Sequence, residues 1–119
     1  MKYVCLVYFE GKALAALSKD EHDALDRACL AYNDELEKSR HLLHVQALQS
    51  PENAVTVRVR NGKISSIDGP FAETKEQLGG FILIEARDLN EAIQIAVQSP
   101  LAPLGSLEVR PIQQRSEGV

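Results

Sequence analysis

The apolar positions of the chain are grouped into short runs of the length typical of strands. Residues 2–9 and 81–84 are almost continuously apolar, which indicates central strands covered on both faces. Residues 41–48 form a weaker apolar run. In residues 106–110, Leu107 and Val109 alternate with polar side chains. The pattern therefore predicts four strands, of which the first and third along the chain are central.

Two longer stretches have the periodicity of amphipathic helices. Ser18 and Glu21 have the spacing of a capping box and open a predicted helix from Lys19 to Ser39. Asp88, three residues before Glu91, caps a second helix that ends by Pro100. The apolar stripes predicted to face the sheet are Leu25, Ala28/Cys29, Tyr32 and Leu36 in the first helix, and Ala92, Ile93, Ala96 and Val97 in the second.

A β-hairpin is predicted between these helices. Residues 55–60 alternate valine with polar side chains and lead into Asn61-Gly62, the preferred pair for a two-residue type I′ turn. Such a turn fixes the register, placing Arg60 opposite Lys63, Val59 opposite Ile64 and Val57 opposite Ser66. We expect the valine face to point at the core and the cationic face at solvent or a partner.

The order of elements contains the βαββαβ skeleton of a ferredoxin-like α+β domain, with the hairpin inserted. Two helices cover only one face of such a sheet, and the continuously apolar strands require cover on the other face. We therefore expect a homodimer packed sheet against sheet, with an edge-mediated assembly as the alternative. Residues 1–112 are predicted to form a single domain, and residues 113–119 a flexible, polar tail.

Composition narrows the classes of function. The 119 residues carry 13 basic and 17 acidic side chains, a net charge of −4, and no cluster of basic residues. Binding to nucleic acid or to an anionic membrane surface is therefore not expected, because both need clustered Lys and Arg. The longest apolar run, residues 3–9, is too short to span a membrane.

The cysteines and histidines predict neither a disulfide nor a metal site. Cys5 and Cys29 have no ligand spacing and are interpreted as reduced core residues, which favours a cytoplasmic location. His41 and His44 would lie on opposite faces of a strand, so that even with His22 they do not form a metal site. Tyr3, Tyr8 and Tyr32 are expected to line the core or a cleft rather than to act as catalytic acids.

The segment DGPFAETKEQLGG, residues 68–80, is a long connection for so compact a chain, and long ordered loops are often functional. Asp68 begins a tight turn and is the candidate catalytic base; the alternative is that its carboxylate only caps the turn. Phe71 is expected to anchor the loop in the core. The candidate ligand-binding residues are Gly69, Pro70, Phe71, Glu73, Lys75, Glu76, Gly79 and Gly80. The alternative for the charged ones is pairing with Arg58 and Arg60 across a dimer interface.

The sequence DGPFAETKEQLGGF, residues 68–81, closely resembles the signature of the DGPF-domain branch of the YCII-related family. The opening MKYVCLVYF, the hairpin AVTVRVRNGK, the helix IEARDLNEAIQIA and the strand SLEVRPI extend the resemblance over nearly the whole chain. It implies a ferredoxin-like fold of the dimeric α/β-barrel type and no particular reaction. Some family members occur beside, or fused to, sigma factors of the extracytoplasmic-function kind.

Two positions depart from the family pattern. Ser39-Arg40 stands where the family has Ala-Gly, so the first helix must end without a glycine in the left-handed conformation. Founding members have a histidine and an aspartate in a cleft between subunits, but the motif that carries this histidine is not reproduced here. The role is therefore not transferred to His22.

Two functional hypotheses follow. The first is a small dimeric enzyme or binding protein that acts without a cofactor on a small polar molecule. Its cleft would lie where residues 68–80 meet the first helix and residues 101–105. The second is a regulatory or interaction module, linked to a sigma factor as the family's associations imply.

Overall fold

The computed structural model describes residues 1–114. The predicted tail, residues 113–119, lies outside the described residues from position 115 onwards. The strands are β1 (Lys2–Phe9), β2 (Leu42–Ala47), β3 (Val55–Arg60), β4 (Lys63–Asp68), β5 (Gln77–Glu85) and β6 (Gly105–Pro111). The helices are α1 (Gly11–Ala15), α2 (Lys19–Lys38) and α3 (Leu89–Val97), with 3-10 turns at Pro51–Asn53 and Ala102–Leu104. The short helix α1 was not predicted.

Four strands form one antiparallel sheet in the order β2-β5-β1-β6. With the hairpin strands left aside, this is the strand order of a ferredoxin-like domain, so the predicted fold class is confirmed. Among the described strands, β3 and β4 pair only with each other and form a separate hairpin. None of the helices formed by residues 1–114 combines the length and the apolarity needed to cross a membrane.

Helices α2 and α3 cover one face of the sheet, which we call the helix-covered face. Tyr3, Cys5 and Val7 of β1 are buried there, and the first two lie opposite Ile84 and Ile82 of β5. Further residues of this core are Leu36 of α2, Ala86, and Ala92 and Ala96 of α3. The apolar side chains that alternate along β1 and β5 are thus what holds both helices against the sheet.

Both ends of α2 follow from local chemistry. Ser18 and Glu21 form the predicted capping box, each side chain accepting the other residue's backbone N–H. At the other end, Arg40 donates to the Glu37 carbonyl and His41 to the Leu36 carbonyl, the two bonds of a Schellman motif. Arg40 has φ 64°, so this helix does end with a non-glycine residue in the left-handed region.

The opposite face of the sheet, which we call the open face, carries no helix formed by residues 1–114. The register places Val4, Leu6, Phe81 and Leu83 together on it, and all four are partly exposed. Along the outer strands this apolar stripe is bordered by polar side chains: His44 and Gln46 on β2, and Glu108 and Arg110 on β6. An apolar centre between polar borders is the composition of an interface rather than of a solvated sheet.

The hairpin has the predicted register but not the predicted packing. Asn61 and Gly62 have φ values of 53° and 76°, as a type I′ turn requires, and Val57 lies opposite Ser66. However, Val57 is 64% exposed, and Val55 and Val59 are similarly exposed. The expectation that the valine face points at the core of its own chain is wrong, because the hairpin projects from the domain instead of folding over it.

The outer side of α3 differs from prediction in the same way. Ala92 and Ala96 face the sheet, whereas Ile93 and Val97 are 41% and 65% exposed. These two side chains border an apolar depression of about 430 Å³, the α3–β6 groove. Its other lining residues are Leu89, Ala96, Ala102, Leu107 and Val109.

Candidate functional site

The DGPF segment is shorter and more tightly held than the sequence predicts. Strand β4 extends to Asp68 and β5 begins at Gln77, so the connecting loop contains only residues 69–76. Gly69 has φ 111°, which favours glycine; its N–H donates to the Ala54 carbonyl (2.7 Å) and its carbonyl accepts from Thr56 Oγ1 (2.9 Å). The hydrogen bonds of the turn are thus made by backbone groups and Thr56, and the exposed Asp68 carboxylate is not needed for them.

Phe71 is not the core anchor that the sequence predicts. Its side chain is 78% exposed, and the guanidinium carbon of Arg58 lies 5.6 Å from its ring centroid. Because Pro70 follows a turn closed against the hairpin base, the loop leaves the sheet there and places Phe71 outside. A cation–π contact replaces the expected burial.

The charged candidates of the loop have separate neighbours. Lys75 Nζ lies 4.0 Å from Glu10, Glu76 accepts a hydrogen bond from Ser106 Oγ (2.7 Å), and Glu73 is exposed. The loop itself is held by Gln77, whose side-chain amide donates to the carbonyls of Ala72 and Thr74. These charges therefore do not converge on one cavity.

Gly79 and Gly80 lie within β5 and are needed for close packing. A Cβ on Gly79 would lie 2.3 Å from the Phe9 ring, and one on Gly80 would lie 2.8 Å from the Gln46 carbonyl oxygen. The absence of a side chain at these two positions therefore allows close packing of β5 against Phe9 and Gln46.

Several cavities flank this end of the sheet. The first, which we call the DGPF groove, has a volume of about 480 Å³ and lies between the loop and the segment after β2. It is lined by Tyr8, Leu48, Gln49, Ser50, Pro51, Asn53, Ala54, Pro70, Phe71, Ala72, Thr74, Gln77 and Leu78. Of the predicted site residues, Pro70 and Phe71 line it.

The second cavity, which we call the helix cleft, lies between α2 and the sheet and has a volume of about 370 Å³. Helix α2 lines it with His22, Asp26, Cys29 and Asn33, whose spacing of four, three and four residues places them on one helix face. Gly79 and Gly80 of β5 and Leu101 also line it, so the start of β5, the first long helix and the segment near residue 101 border one cavity, whereas the loop of residues 69–76 does not line it. Asp68, Glu73, Lys75 and Glu76 are not among its lining residues.

Burial removes several ionisable groups of this region from acid–base chemistry at neutral pH. Desolvation raises the pKa of the Cys29 thiol, with the Asp26 charge adding to the effect. Burial raises the pKa of the Cys5 thiol to about 11 and also raises that of Tyr32, whose hydroxyl donates to the Ile95 carbonyl (2.7 Å). The remaining ionisable α2 side chains that line the helix cleft are His22 and Asp26.

The other two histidines, His41 and His44, lie close to side chains outside the helix cleft. His41 Nδ1 lies 2.7 Å from Ser39 Oγ and its Nε2 lies 3.3 Å from Glu91, which joins β2 to the start of α3. His44 lies on the open face with its ring centroid 6.2 Å from that of Phe81. Within residues 1–114 there is no cluster of three His, Cys, Asp or Glu side chains with the geometry to hold a metal ion.

Comparison with known families agrees with this architecture and with the DGPF signature. The YCII-related domain matches residues 1–116. The chain belongs to the YCII-related family. It is also 37% identical over 114 residues to an uncharacterised protein of Rhizobium meliloti, an alignment that covers 94% of this chain and 92% of the relative.

A solved structure shows that this YCII-related chain shares its fold with an enzyme. The similar protein is 5-chloro-2-hydroxyhydroquinone dehydrochlorinase from Burkholderia phenoliruptrix, in complex with 2,5-dihydroxybenzoquinone. The TM-score is 0.59 with full coverage of both chains, and the sequence identity is 16%. At that identity the similarity concerns the fold alone.

Sequence reasoning missed the polar residues of the helix cleft. The apolar stripe predicts Cys29 as a core residue and gives Asp26 and Asn33 no role, and the sequence suggests His22 only as a metal ligand or as part of a family motif. The signal that could have found them was present: the same 3.6-residue periodicity that places Leu25 and Tyr32 toward the sheet also brings these polar side chains to the cleft wall.

Proposed function

We propose that this YCII-related protein binds a small organic molecule in the helix cleft and acts on it without a cofactor. The observation that carries the proposal is the lining of the cleft, where apolar side chains of the sheet face His22 and Asp26 on α2. A volume of about 370 Å³ is within the range of small-molecule sites, which combine apolar walls with a few polar groups.

The lining also defines the ligand class. Val7, Val45 and Ile82 provide apolar surface, so the proposed ligand has an apolar body. The sequence alone predicts a small polar molecule instead. The compound bound by the structural neighbour, 2,5-dihydroxybenzoquinone, has this character: a ring with polar substituents. His22 and Asp26 would exchange a proton with such a substituent, since both side chains are effective general acids or bases when placed beside a ligand.

A homodimer formed through the open face is part of the proposal. The stripe of Val4, Leu6, Phe81 and Leu83 supports it, because this apolar surface is partly exposed and no helix of residues 1–114 covers it. The ion pair of Arg110 with Glu108 lies at the border of the stripe. Tyr8 and Leu78, which line the DGPF groove, are opposite one another at one end of this face, so a partner would close that groove. A cytoplasmic location is proposed on the two free thiols.

Binding to a panel of hydroxylated aromatic compounds, measured by isothermal titration calorimetry, tests the proposal. Asp26→Asn should weaken the binding of a hit about tenfold or more, the loss of one charge-assisted hydrogen bond. The matched control is Asp23→Asn, an exposed aspartate on the same helix that does not line the cleft.

Three results would contradict the helix cleft. Equal effects of the two aspartate variants would place the ligand elsewhere. A loss of binding in Asp68→Asn without one in Asp26→Asn would assign the site to the DGPF loop, as the sequence predicts. Native mass spectrometry of the purified protein that showed a sigma factor and no small ligand would favour the interaction role instead.

A further inference from the structure

The molecule leaves two apolar surfaces uncovered besides the open face. One is the valine face of the hairpin, formed by Val55, Val57, Val59 and Ile64, which are 56–78% exposed. The other is the α3–β6 groove, all of whose lining residues are apolar. Exposure of this much aliphatic surface to water is unfavourable, so we expect another protein surface to bind over both.

One surface belongs to the hairpin that follows β2 in the chain, and the other lies along β6; β2 and β6 are the two outer strands of the sheet. The hairpin base, where Gly69 bonds to Ala54, follows β2, which is one outer strand. The groove lies along β6, the other outer strand. Three strand spacings, about 14 Å, separate these edges. In residues 1–114 the hairpin does not fold back over its own groove, as the exposure of both surfaces shows.

The shape of the chain agrees with a projecting arm. The radius of gyration is 16.3 Å, and the principal extents are 47 × 46 × 18 Å. A compact domain of this length has a radius of gyration of about 13.5 Å. The chain is thus a flat body two layers thick, with the hairpin extending beyond it.

The net charges of the hairpin and of the rest of the chain indicate which surface the hairpin binds. Residues 55–68 carry three basic side chains and one acidic one, whereas the remainder of the sequence carries ten basic and sixteen acidic ones. The arm is therefore net +2 on a body of net −6. A second copy of the same body attracts it, because opposite net charges favour the encounter.

We infer that the hairpin is an exchanged arm, whose valine face packs into the α3–β6 groove of a second copy of this chain. This inference rests on the dimer proposed above. Two-fold symmetry makes the exchange reciprocal, so that each copy covers the other's groove.

The open face alone is smaller than a standard dimer interface, so a further contact such as this arm is needed for a stable dimer. Its four strands present a projected surface of about 450 Å² per protomer, below the ~800 Å² per partner of a standard stable interface. A hairpin face of about 20 × 10 Å, together with the groove that receives it, raises the area to about 850 Å² per protomer.

Cross-linking between two differently labelled copies tests the arm. In a Cys29→Ala background, protein carrying Val57→Cys is mixed with protein carrying Val97→Cys and treated with a short bis-maleimide. A covalent dimer that joins the two labelled copies is expected. Leu30→Cys replaces Val97→Cys as the control, since Leu30 is as exposed (69% against 65%) but lies on α2. No cross-link at Val97, or an equal one at Leu30, would overturn the arm.

Dimer affinity gives a second readout that does not need a cross-link. Val57→Asp should weaken the dimer at least tenfold by sedimentation, whereas Ser65→Asp, exposed on the other face of the hairpin, should change it less than threefold. A wild-type dimer insensitive to Val57→Asp would overturn the arm and leave the open-face dimer standing. A protein that is monomeric at all concentrations would overturn both, and ligand binding in the helix cleft would remain to be judged by its own titration.

Discussion

The two faces of the four-stranded sheet are built from the same kinds of residue and differ in what covers them. Along β1, Tyr3, Cys5 and Val7 are at most 3% exposed beneath α2 and α3, whereas Val4 and Leu6, alternating with them, remain partly exposed. Nothing in the types of residue distinguishes the two sets. The difference teaches that an apolar face has to be covered by another surface, and that the helices of residues 1–114 cover one face and leave the other open.

The largest expected difference in stability is between alanine substitutions at two neighbouring positions of β5, one on each face of the sheet. Ile84, fully buried on the helix-covered face, should lose about 2–5 kcal/mol of unfolding free energy on replacement by alanine, through lost burial and the cavity left behind. Leu83→Ala, on the open face, should cost less than about 1.5 kcal/mol in the monomer, because the side chain is already partly exposed there.

Urea unfolding over a hundredfold range of protein concentration separates the two variants. The Ile84→Ala loss should not depend on concentration, whereas the Leu83→Ala loss should grow as the wild type becomes dimeric. Equal, concentration-independent losses would show that the open face is covered by something other than a second copy.

The sequence predicts the starts of both long helices and the hairpin turn well because their signals are local. The capping box at Ser18, the cap at Asp88 and the Asn61-Gly62 turn each depend on a few neighbouring residues, and all three are confirmed. These devices work the same way whatever the rest of the chain does, so a single sequence is sufficient to recognise them.

The predictions of core residues that are wrong share a different cause. The valine face of the hairpin, Ile93, Val97 and Phe71 were all assigned to the core because they are apolar, yet they are exposed in the single chain. Periodicity identifies a face, but it does not say which surface lies against it. The helix cleft was missed for the complementary reason, since its polar residues come from a helix that was interpreted by its apolar positions alone.

A smaller effect on stability is expected at the C-terminal end of α2, the helix that covers much of the helix-covered face. Arg40 adopts φ 64°, a conformation that costs a residue with a Cβ about 1–2 kcal/mol and glycine almost nothing. Allowing for the greater backbone freedom of glycine in the unfolded chain, Arg40→Gly should stabilise the fold by about 0.5–1 kcal/mol. Thermal unfolding of the wild type and the variant measures the difference.

Arg40→Ala is the control for this change, because it removes the same side chain and keeps the Cβ. It should give no stabilisation. A gain of the same size in both variants would mean that the arginine side chain, rather than its backbone conformation, is unfavourable. Neither variant should alter dimer affinity, since the Schellman motif lies at the end of the helix-covered side.

The smallest effect concerns the contact that joins α3 to β2 on the same side. Glu91 accepts the Arg87 backbone N–H (3.0 Å), its other oxygen lies 3.0 Å from Arg87 Nη2, and His41 lies beside it. These contacts, the backbone hydrogen bond foremost, hold the pKa of Glu91 below its ordinary value of 4.5. A carboxyl with a lowered pKa in the folded state stabilises the fold above its unfolded pKa, and this contribution is lost as the pH falls through the folded value.

Glu91→Gln tests that sign, because the amide oxygen still accepts the Arg87 N–H but carries no charge. The variant should be less stable than the wild type at pH 7, and the two curves of unfolding free energy against pH should converge as the pH falls below 4.5 and through the lowered pKa of the folded state. A difference that stayed constant from pH 7 to pH 3 would mean that the charge contributes nothing. The position would then matter only for its hydrogen bond, and the start of α3 would be held to the sheet by packing alone.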